Sequence, residues 1–384
     1  MPKSLKVVLI HNVVAPYRIP LFDELAMRCD LTVFFCKRTA NDRKWETKIT
    51  GNRFHHVFLK HIGRWPFVYN ISLPIHLGRN PADVYIIIDN EANIFSNLLT
   101  ILYAKIRQKP YVLWSGHLEP SEARIPPVEF HKSIAHCWPI KQLYLAVIRF
   151  LNQILYKHAT SFLAYSDMSK EYLMKHGVDK KKIIVGTQAM SASLMPNPMK
   201  RLSLEPKKIH LLYLGYLRPE KGIDVLVQAV LKTKNQNIEL HIVGDGPQKI
   251  AIQKMIVGKS NVHFYPYVDA QERAQWYSSV DATVLPTFWD PWAHTVTESL
   301  YYGTPAIVSL SAAASSVIEN GKNGFIFEAG RVSELAGILD DLTTKKIVTM
   351  RRIMKTADKR RLYDVSADAD NFMQAITSVK GTKS

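Results

Sequence analysis

Short runs of Val, Ile and aromatic residues alternate along this chain with longer stretches in which apolar positions recur every three or four residues. That alternation predicts parallel strands joined by crossover helices. In the front half it places strands at Lys6 to Ile10, Leu31 to Cys36, Val84 to Ile88, Tyr111 to Trp114 and Ser161 to Tyr165, with helices including Pro20 to Arg28 and Ala92 to Arg107. The pattern breaks between Ser193 and Lys208. There Met195-Pro196-Asn197-Pro198 and Pro206 read as a linker, because proline removes donors and stops helices. A second series follows, with strands at Ile209 to Leu214, Ile238 to Val243, Val262 to Tyr265, Ala282 to Leu285 and Ala306 to Ser309. From Lys345 to Ser378 no strand is visible. The expected organisation is α/β: a Rossmann-like domain at 1–195, a linker at 196–208 and a second Rossmann-like domain at 209–358. The two domains are expected to face each other across a cleft, with a helical tail at 359–384 returning to the first. In open parallel sheets a ligand sits beyond the carboxyl ends of the strands, so the turns after strands are where chemistry is sought.

A length of 384 residues suits two or three domains at about 150 residues each. With 47% hydrophobic and 22% charged residues, the chain reads as globular and excludes a disordered tail, a collagen-like fibre or a coiled coil. The longest apolar runs, such as Leu143 to Ile148, fall well short of the roughly 18 residues of a membrane span. Lys3 and Lys6 precede only four apolar residues, which argues against a secretory signal. Cys29, Cys36 and Cys137 show no C-x-x-C spacing and point to a reducing cytoplasm, with no thiolate metal site. The net charge of +17 changes the picture more. Residues 1–200 carry 27 Lys and Arg against 14 Asp and Glu, so the basicity sits in the front half. Such a field attracts nucleic acid, an anionic membrane or a phosphorylated substrate, and charge alone does not choose among them.

The densest candidate chemistry is the segment Leu285 to Ser309. A strand end is followed by a loop with Asp290 and Trp292, a helix start near Ala293 to Thr295, and a Gly303-Thr304-Pro305 break. Backbone N–H groups at a helix start hold anions, and Glu298, eight positions after Asp290, can address the other end of the same ligand. Carboxylates accepting from sugar hydroxyls and amides holding phosphates would suit a diphosphate flanked by hydroxyl-rich groups. An N-capping acid and a solvated helix glutamate explain the same letters. After the strand at Leu214, the turn Gly215 to Asp224 carries Arg218 and Lys221, two cations able to neutralise a departing diphosphate without a metal, or an ordinary basic surface turn. A third turn, Gly244-Asp245-Gly246, again follows a strand. Alone it is a weak signal.

These three turns, in this order, resemble the retaining glycosyltransferases of family 4, which have the GT-B fold. The likeness is strongest from about Ile209 to Phe327 and rests on Asp290 to Glu298 followed by Gly303-Thr304-Pro305, on Gly215-Tyr216-Leu217-Arg218-Pro219-Glu220-Lys221-Gly222, and on Gly244 to Gly246. The resemblance implies that Glu298 holds the nucleotide ribose and Lys221 the diphosphate. It implies further that the backbone around Ala293, His294, Thr295 and Val296 holds phosphates or donor sugar, and that Asp290 contacts the transferred sugar. Three departures stand out. Asp290 replaces a glutamate, Tyr216 occupies the arginine position so that the second cation falls to Arg218, and Ala293 stands where a glycine is usual.

In the front half, Ala15-Pro16-Tyr17-Arg18 looks like the opening of a polysaccharide-assembly subgroup, and Tyr17 and Arg18 are candidate acceptor contacts, with a helix-surface arginine the competing reading. Trp114-Ser115-Gly116-His117 follows a strand where family members place a histidine against the donor sugar, with a purely structural histidine the competing reading. The stretch Pro139 to Lys157 has a wide apolar face with flanking basic residues. It is expected to pack against the front sheet, with a membrane interface as the alternative. Asp368-Ala-Asp370 is expected on a solvated helix face.

No P-loop, H-E-x-x-H or nucleophile elbow is present in the sequence. The expectation is a retaining, metal-independent transferase with no cofactor beyond its nucleotide diphosphate sugar. It would act on a glycan or polyprenyl-diphosphate-linked acceptor in the cytoplasm, with a peripheral place at the inner membrane face open and nucleic acid disfavoured. A nucleotide-sugar epimerase, a sugar phosphorylase and a non-catalytic basic binding protein on the same fold are the alternatives.

Overall fold

The computed structural model describes residues 4–38, 49, 51–64, 67–119, 138–186, 188–356 and 360–379. Two compact units form. One gathers the described residues up to His117, those from 138 to Ser191 and those from Tyr363; the other gathers residues 118–119 and Ala192–Leu362.

In the first unit the strands are β1 (Lys6–Val13), β2 (Asp30–Lys37), β3 (His55–Phe58), β4 (Ile62–Arg64), β5 (Phe67–Tyr69), β6 (Val84–Ile88), β7 (Tyr111–Ser115), β8 (Ser161–Ala164) and β9 (Ile183–Val185). Seven of them make a sheet in the order β3-β2-β1-β6-β7-β8-β9, all parallel, while β4 and β5 form an antiparallel hairpin. The second unit has β10 (Ile209–Leu214), β11 (Ile238–Val243), β12 (Val262–Tyr265), β13 (Ala282–Leu285), β14 (Ala306–Ser309) and β15 (Gly324–Phe327) in the parallel order β12-β11-β10-β13-β14-β15. Strands β6, β7, β13 and β14 are buried at every position. Helices cover both sheet faces, so these strands read as continuous apolar runs rather than alternating ones. Strand order reverses between β1 and β6 and again between β10 and β13. Each reversal opens a crevice at the carboxyl edge of its sheet, where ligands bind in such folds.

Helix Val365–Ser378 belongs to the first unit and sends Ala369, Phe372, Ala375 and Ile376 into the core beneath β1 and β2. This overturns the expectation for Asp368, which is fully buried. Positions 368, 372 and 376 share one helical stripe, and that spacing outweighs the local polarity of the Asp-Ala-Asp triplet. Its Oδ1 lies 3.1 Å from where a Cβ on Gly186 would stand. Asp370 does face water, pairing with Arg28 at 2.6 Å.

Helix Trp138–His158 departs from expectation in the other direction. Ile148 and Leu155 are buried, yet Leu143, Val147 and Phe150 are 66%, 46% and 66% exposed. Only part of the apolar face among its described residues is covered. Cys29 and Cys36 are free thiols, and burial pushes each up to about 12, so neither is a ready nucleophile. Cys137 lies outside the described residues.

Candidate functional site

At the reversal in the second sheet, the turn after β10 meets the loop after β13. The meeting depends on glycine. Gly222 sits at φ +64°, closing the turn Pro219–Lys221 and opening helix Ile223–Lys232, and a Cβ there would lie 2.1 Å from the Pro286 carbonyl oxygen. Only a residue without a side chain permits both the left-handed backbone and that approach. The two segments are then stitched by Phe288 N–H donating to the Glu220 carbonyl at 2.8 Å and by Thr287 Oγ1 donating to the same oxygen at 2.9 Å. Gly244 plays the same part beside Gly215, whose carbonyl oxygen would lie 2.0 Å from an added Cβ.

This stitching brings Lys221 to Asp290. The Lys221 Nζ donates to Asp290 Oδ2 at 2.6 Å, and Trp292 N–H donates to Oδ1 at 3.1 Å. Burial opposes charge on Asp290, but the Lys221 ammonium, the Trp292 amide and nearby His294 outweigh it and hold the carboxyl below its usual range. The acid and the cation expected to address different parts of a ligand are thus joined to each other. Arg218 lies on the same turn, 3.7 Å from Glu220, with its guanidinium 4.9 Å from the centre of the Tyr216 ring. Tyr216 therefore does not displace the second cation but stacks under it.

Beyond Trp292 the helix His294–Tyr301 begins at Ala293, which has φ +74° and ψ +73°. An L-residue there carries a backbone cost of about 1–2 kcal/mol. A substitution of Ala293→Gly should relieve it, stabilising this unit by about 1 kcal/mol and raising its melting temperature by roughly 2–4 °C. A calorimetric scan showing no rise would contradict the strain. Val296 is buried in the first turn of this helix, where its N–H donates to the Ala293 carbonyl at 3.0 Å.

Glu298 lies further along the same helix. Tyr277 Oη donates to its Oε2 at 2.8 Å, and Arg273 Nη2 stands 3.7 Å from its Oε1. Burial and the adjacent Glu298 carboxylate push the Tyr277 hydroxyl well above its ordinary range, so it stays a donor. Arg273 and Tyr277 face Glu298 from helix Ala270–Ser279, four residues apart on one side. Sequence reading missed both, because nothing near them in the chain marks them as partners of a glutamate more than twenty positions away.

At the reversal in the first sheet, His117 follows β7. Its Nδ1 stands 3.1 Å from Asp89 Oδ2 and 3.2 Å from the Tyr156 hydroxyl. Ser115 Oγ and Tyr156 Oη donate to the same Asp89 oxygen at 2.8 and 3.0 Å. Asp89 was missed in the sequence although it follows β6 as His117 follows β7, and the rule that marked the other turns marks it too. Arg18 does not present itself as expected. It is 4% exposed, donates to Gln188, and lies with its guanidinium 4.5 Å from the centre of the Trp114 ring and 5.1 Å from that of Tyr17. The first turn after Pro16 folds it inward, so it is not the helix-surface arginine of the competing reading.

Residues 196–361 match the sequence family described as "Glycosyl transferases group 1". Curated relatives include an uncharacterized 41.2 kDa protein in the cps region of Klebsiella pneumoniae, 24% identical over 53% of this chain and 56% of its own length. Another is a D-inositol 3-phosphate glycosyltransferase of Paenarthrobacter aurescens, 27% identical over 48% of this chain and 49% of its own. The chain spans about half the length of the curated relatives it matches. Among solved structures, Anabaena Alr3699/HepE in complex with UDP aligns over 97% of this chain and all of its own, with a TM-score of 0.71 at 15% identity. The lipopolysaccharide outer core galactosyltransferase WaaB aligns over 97% and 99%, with a TM-score of 0.67 at 20% identity. These likenesses show the fold: GT-B, with two Rossmann-like α/β units.

Proposed function

We propose that this chain is a retaining glycosyltransferase. It would move a sugar from a nucleotide diphosphate sugar to a hydroxyl of a glycan or lipid-linked acceptor in cell-surface polysaccharide synthesis. The observation that carries the reading is the edge of the second sheet, where Lys221, Arg218 and a helix N-terminus stand on turns beside Asp290, while Glu298 on that helix is gripped by Tyr277 and Arg273. Glu298, held by a phenol and a guanidinium, keeps an oriented carboxylate for two ribose hydroxyls. Lys221, Arg218 and the amides of His294 and Thr295 take up charge as the bond between the anomeric carbon and the diphosphate breaks. That charge is absorbed by fixed protein groups, so no cofactor and no divalent metal is needed in this scheme. Asp290, already held by Lys221, turns its carboxylate toward hydroxyls of the transferred sugar. The names of the relatives support the reading: HepE was solved with UDP and with UDP-glucose, and WaaB is a galactosyltransferase of lipopolysaccharide.

The exposed face of one helix in the first unit supports a place of action at a membrane surface. Helix Trp138–His158 exposes Leu143, Val147 and Phe150 at spacings of four and three, next to exposed Arg149 and Lys157, and has no acidic residue. No helix among the described residues is long and apolar enough to cross a membrane. A stripe of this kind suits the surface of an anionic leaflet presenting a lipid-diphosphate acceptor.

One experiment tests both parts. The chain is incubated with uridine, guanosine and adenosine diphosphate sugars, lipid extract and anionic vesicles, with and without chelator. Expected are nucleotide release, a labelled lipid product, undiminished turnover in chelator, and sedimentation with anionic but not neutral vesicles. Donor consumption without acceptor would indicate an epimerase, dependence on free phosphate a phosphorylase, and vesicle binding without any turnover a non-catalytic binding protein.

A further inference from the structure

Arg18 is an interior cation whose charge no acid answers. It is 4% exposed, and its guanidinium lies 4.5, 5.1 and 5.2 Å from the centres of the Trp114, Tyr17 and Tyr165 rings. No carboxylate pairs with it among the described residues; Asp89, a buried acid at the same sheet edge, is held by Ser115, Tyr156 and His117 instead. The side-chain partners Arg18 does have are neutral, Gln188 Oε1 and the Tyr165 hydroxyl. Gln188 is itself 1% exposed and sits at φ +48°, a backbone conformation that L-residues seldom keep unless their surroundings fix it. Its Nε2 is buried and meets no hydrogen-bond partner among the described residues, and the same holds for Nε1 of Trp114, whose ring the guanidinium covers. All these residues belong to the first unit and stand at strand ends: Arg18 after β1, Trp114 near the end of β7, Tyr165 after β8 and Gln188 after β9. That is the carboxyl edge of the parallel sheet, the side on which such sheets bind ligands. Tyr17 and Tyr165 are only half-buried, so the cluster borders solvent.

We propose that Arg18 and Gln188 form an oxyanion site within the first unit that takes a phosphate group, with the Trp114 indole N–H as a third donor. An arginine keeps its charge when buried, and a buried charge without an opposite one is costly, so the cluster calls for an anion rather than for water alone. The groups left unpaired are an amide NH2 and an indole N–H, which only donate, so the occupant must accept. Donors on three side chains from three strand ends suit the tetrahedral oxygens of a phosphate better than the two coplanar oxygens of a carboxylate. Away from water such bonds are strengthened. The same phosphate chemistry is offered by a lipid-diphosphate acceptor and by free phosphate. The site rests on the first unit alone, and only its assignment to an acceptor rests on the transferase reading.

Inorganic phosphate and geranyl diphosphate, each compared with chloride at equal ionic strength, are added to the full chain, and melting of the first unit is followed by calorimetry. At about a hundredfold excess over the dissociation constant its transition should rise by roughly 5–10 °C. Equal effects of the two ligands would assign the site to free phosphate, and a larger effect of the prenyl ester to a lipid acceptor; no rise with either would overturn the proposal. The substitution Gln188→Glu sets the missing carboxylate beside the guanidinium in a side chain of the same size. That chain should keep its melting temperature in chloride, and its phosphate affinity should drop roughly 30-fold or more. Undiminished affinity would overturn the proposal as well. A second measurement needs no variant. In nitrogen-15 spectra of the arginine-labelled chain, the Arg18 guanidinium, set apart by the ring currents of its aromatic neighbours, should shift with either ligand, and a signal indifferent to both would sink the site. Phosphate binding without turnover on any nucleotide sugar would leave the site standing and remove the transferase reading, whereas turnover without phosphate binding would remove the site alone.

Discussion

Replacing Lys221 with methionine should lower turnover by roughly 10²- to 10³-fold, the range seen when one preorganised donor to a developing anion is removed. The substitution keeps most of the side-chain length and deletes only the ammonium. Two separate consequences follow, because Lys221 is also the partner of Asp290 at 2.6 Å. Without it, Asp290 retains the Trp292 amide at 3.1 Å but loses its only cation within ion-pair reach among the described residues. The Lys221 side chain is 25% exposed, so water screens part of this loss and the stability cost should be about 1–3 kcal/mol rather than that of a fully buried pair. The two consequences separate in the double variant Lys221→Met with Asp290→Asn. Neutralising the orphaned acid should return most of the lost stability, read as melting temperature, while turnover stays low. If the double variant recovered turnover as well, Lys221 would be a structural partner and the leaving-group role would fall.

Much of this arrangement was legible in the letters because each piece obeys a local rule. A glycine just after a strand, two cations on the turn, and a carboxylate one helical turn beyond a helix start are all patterns of short range, and they place Lys221, Asp290 and Glu298 without coordinates. The five long apolar runs in each half likewise became strands, since continuous burial on both faces leaves a strong signal. What escaped was set by partners distant in sequence. Strand β3 begins with His55 and His56, both exposed, and β9 is three residues long after a run of lysines, so neither carries a clear period. Asp368 looked solvated because its neighbours are polar, and only the face taken by Phe372 and Ile376 buries it. Arg273, Tyr277 and Asp89 become meaningful only beside Glu298 and His117. Such contacts are products of the fold, and residue type alone does not announce them.

Acid should destabilise both units in a window that histidine, not carboxylate, controls. His11 is wholly buried among Phe22, Phe35 and Trp114, and burial with nearby Arg18 takes its pKa down to about 3, although its Nδ1 contacts the Val13 carbonyl at 2.7 Å. In the second unit, burial first, then His210 and His263, bring His241 down to about 3 as well. His241 lies 3.0 Å from His210 Nδ1, stacks on His263, and its own Nδ1 meets no hydrogen-bond partner among the described residues. Both rings are therefore neutral in the folded chain where they would be charged in the unfolded one. Above about pH 6.5 neither state binds the extra proton, and these groups contribute nothing to pH dependence. Below it the unfolded chain gains protons first, so stability falls steadily until the folded values near pH 3 are reached. By pH 5 the loss should be about 2 kcal/mol for each histidine, or roughly 4–8 °C in the melting temperature of each unit. Asp290 and Asp89, held low in the folded state, add their own losses only below about pH 4, where unfolded carboxylates begin to take up protons. Calorimetry between pH 7.5 and 4.5 should thus show both transitions moving down, and His241→Phe should flatten the slope of the second unit while leaving that of the first. A His241→Phe chain with an unchanged slope would mean that its ring is protonated in the folded state, against the packing of a buried ring between two other histidines.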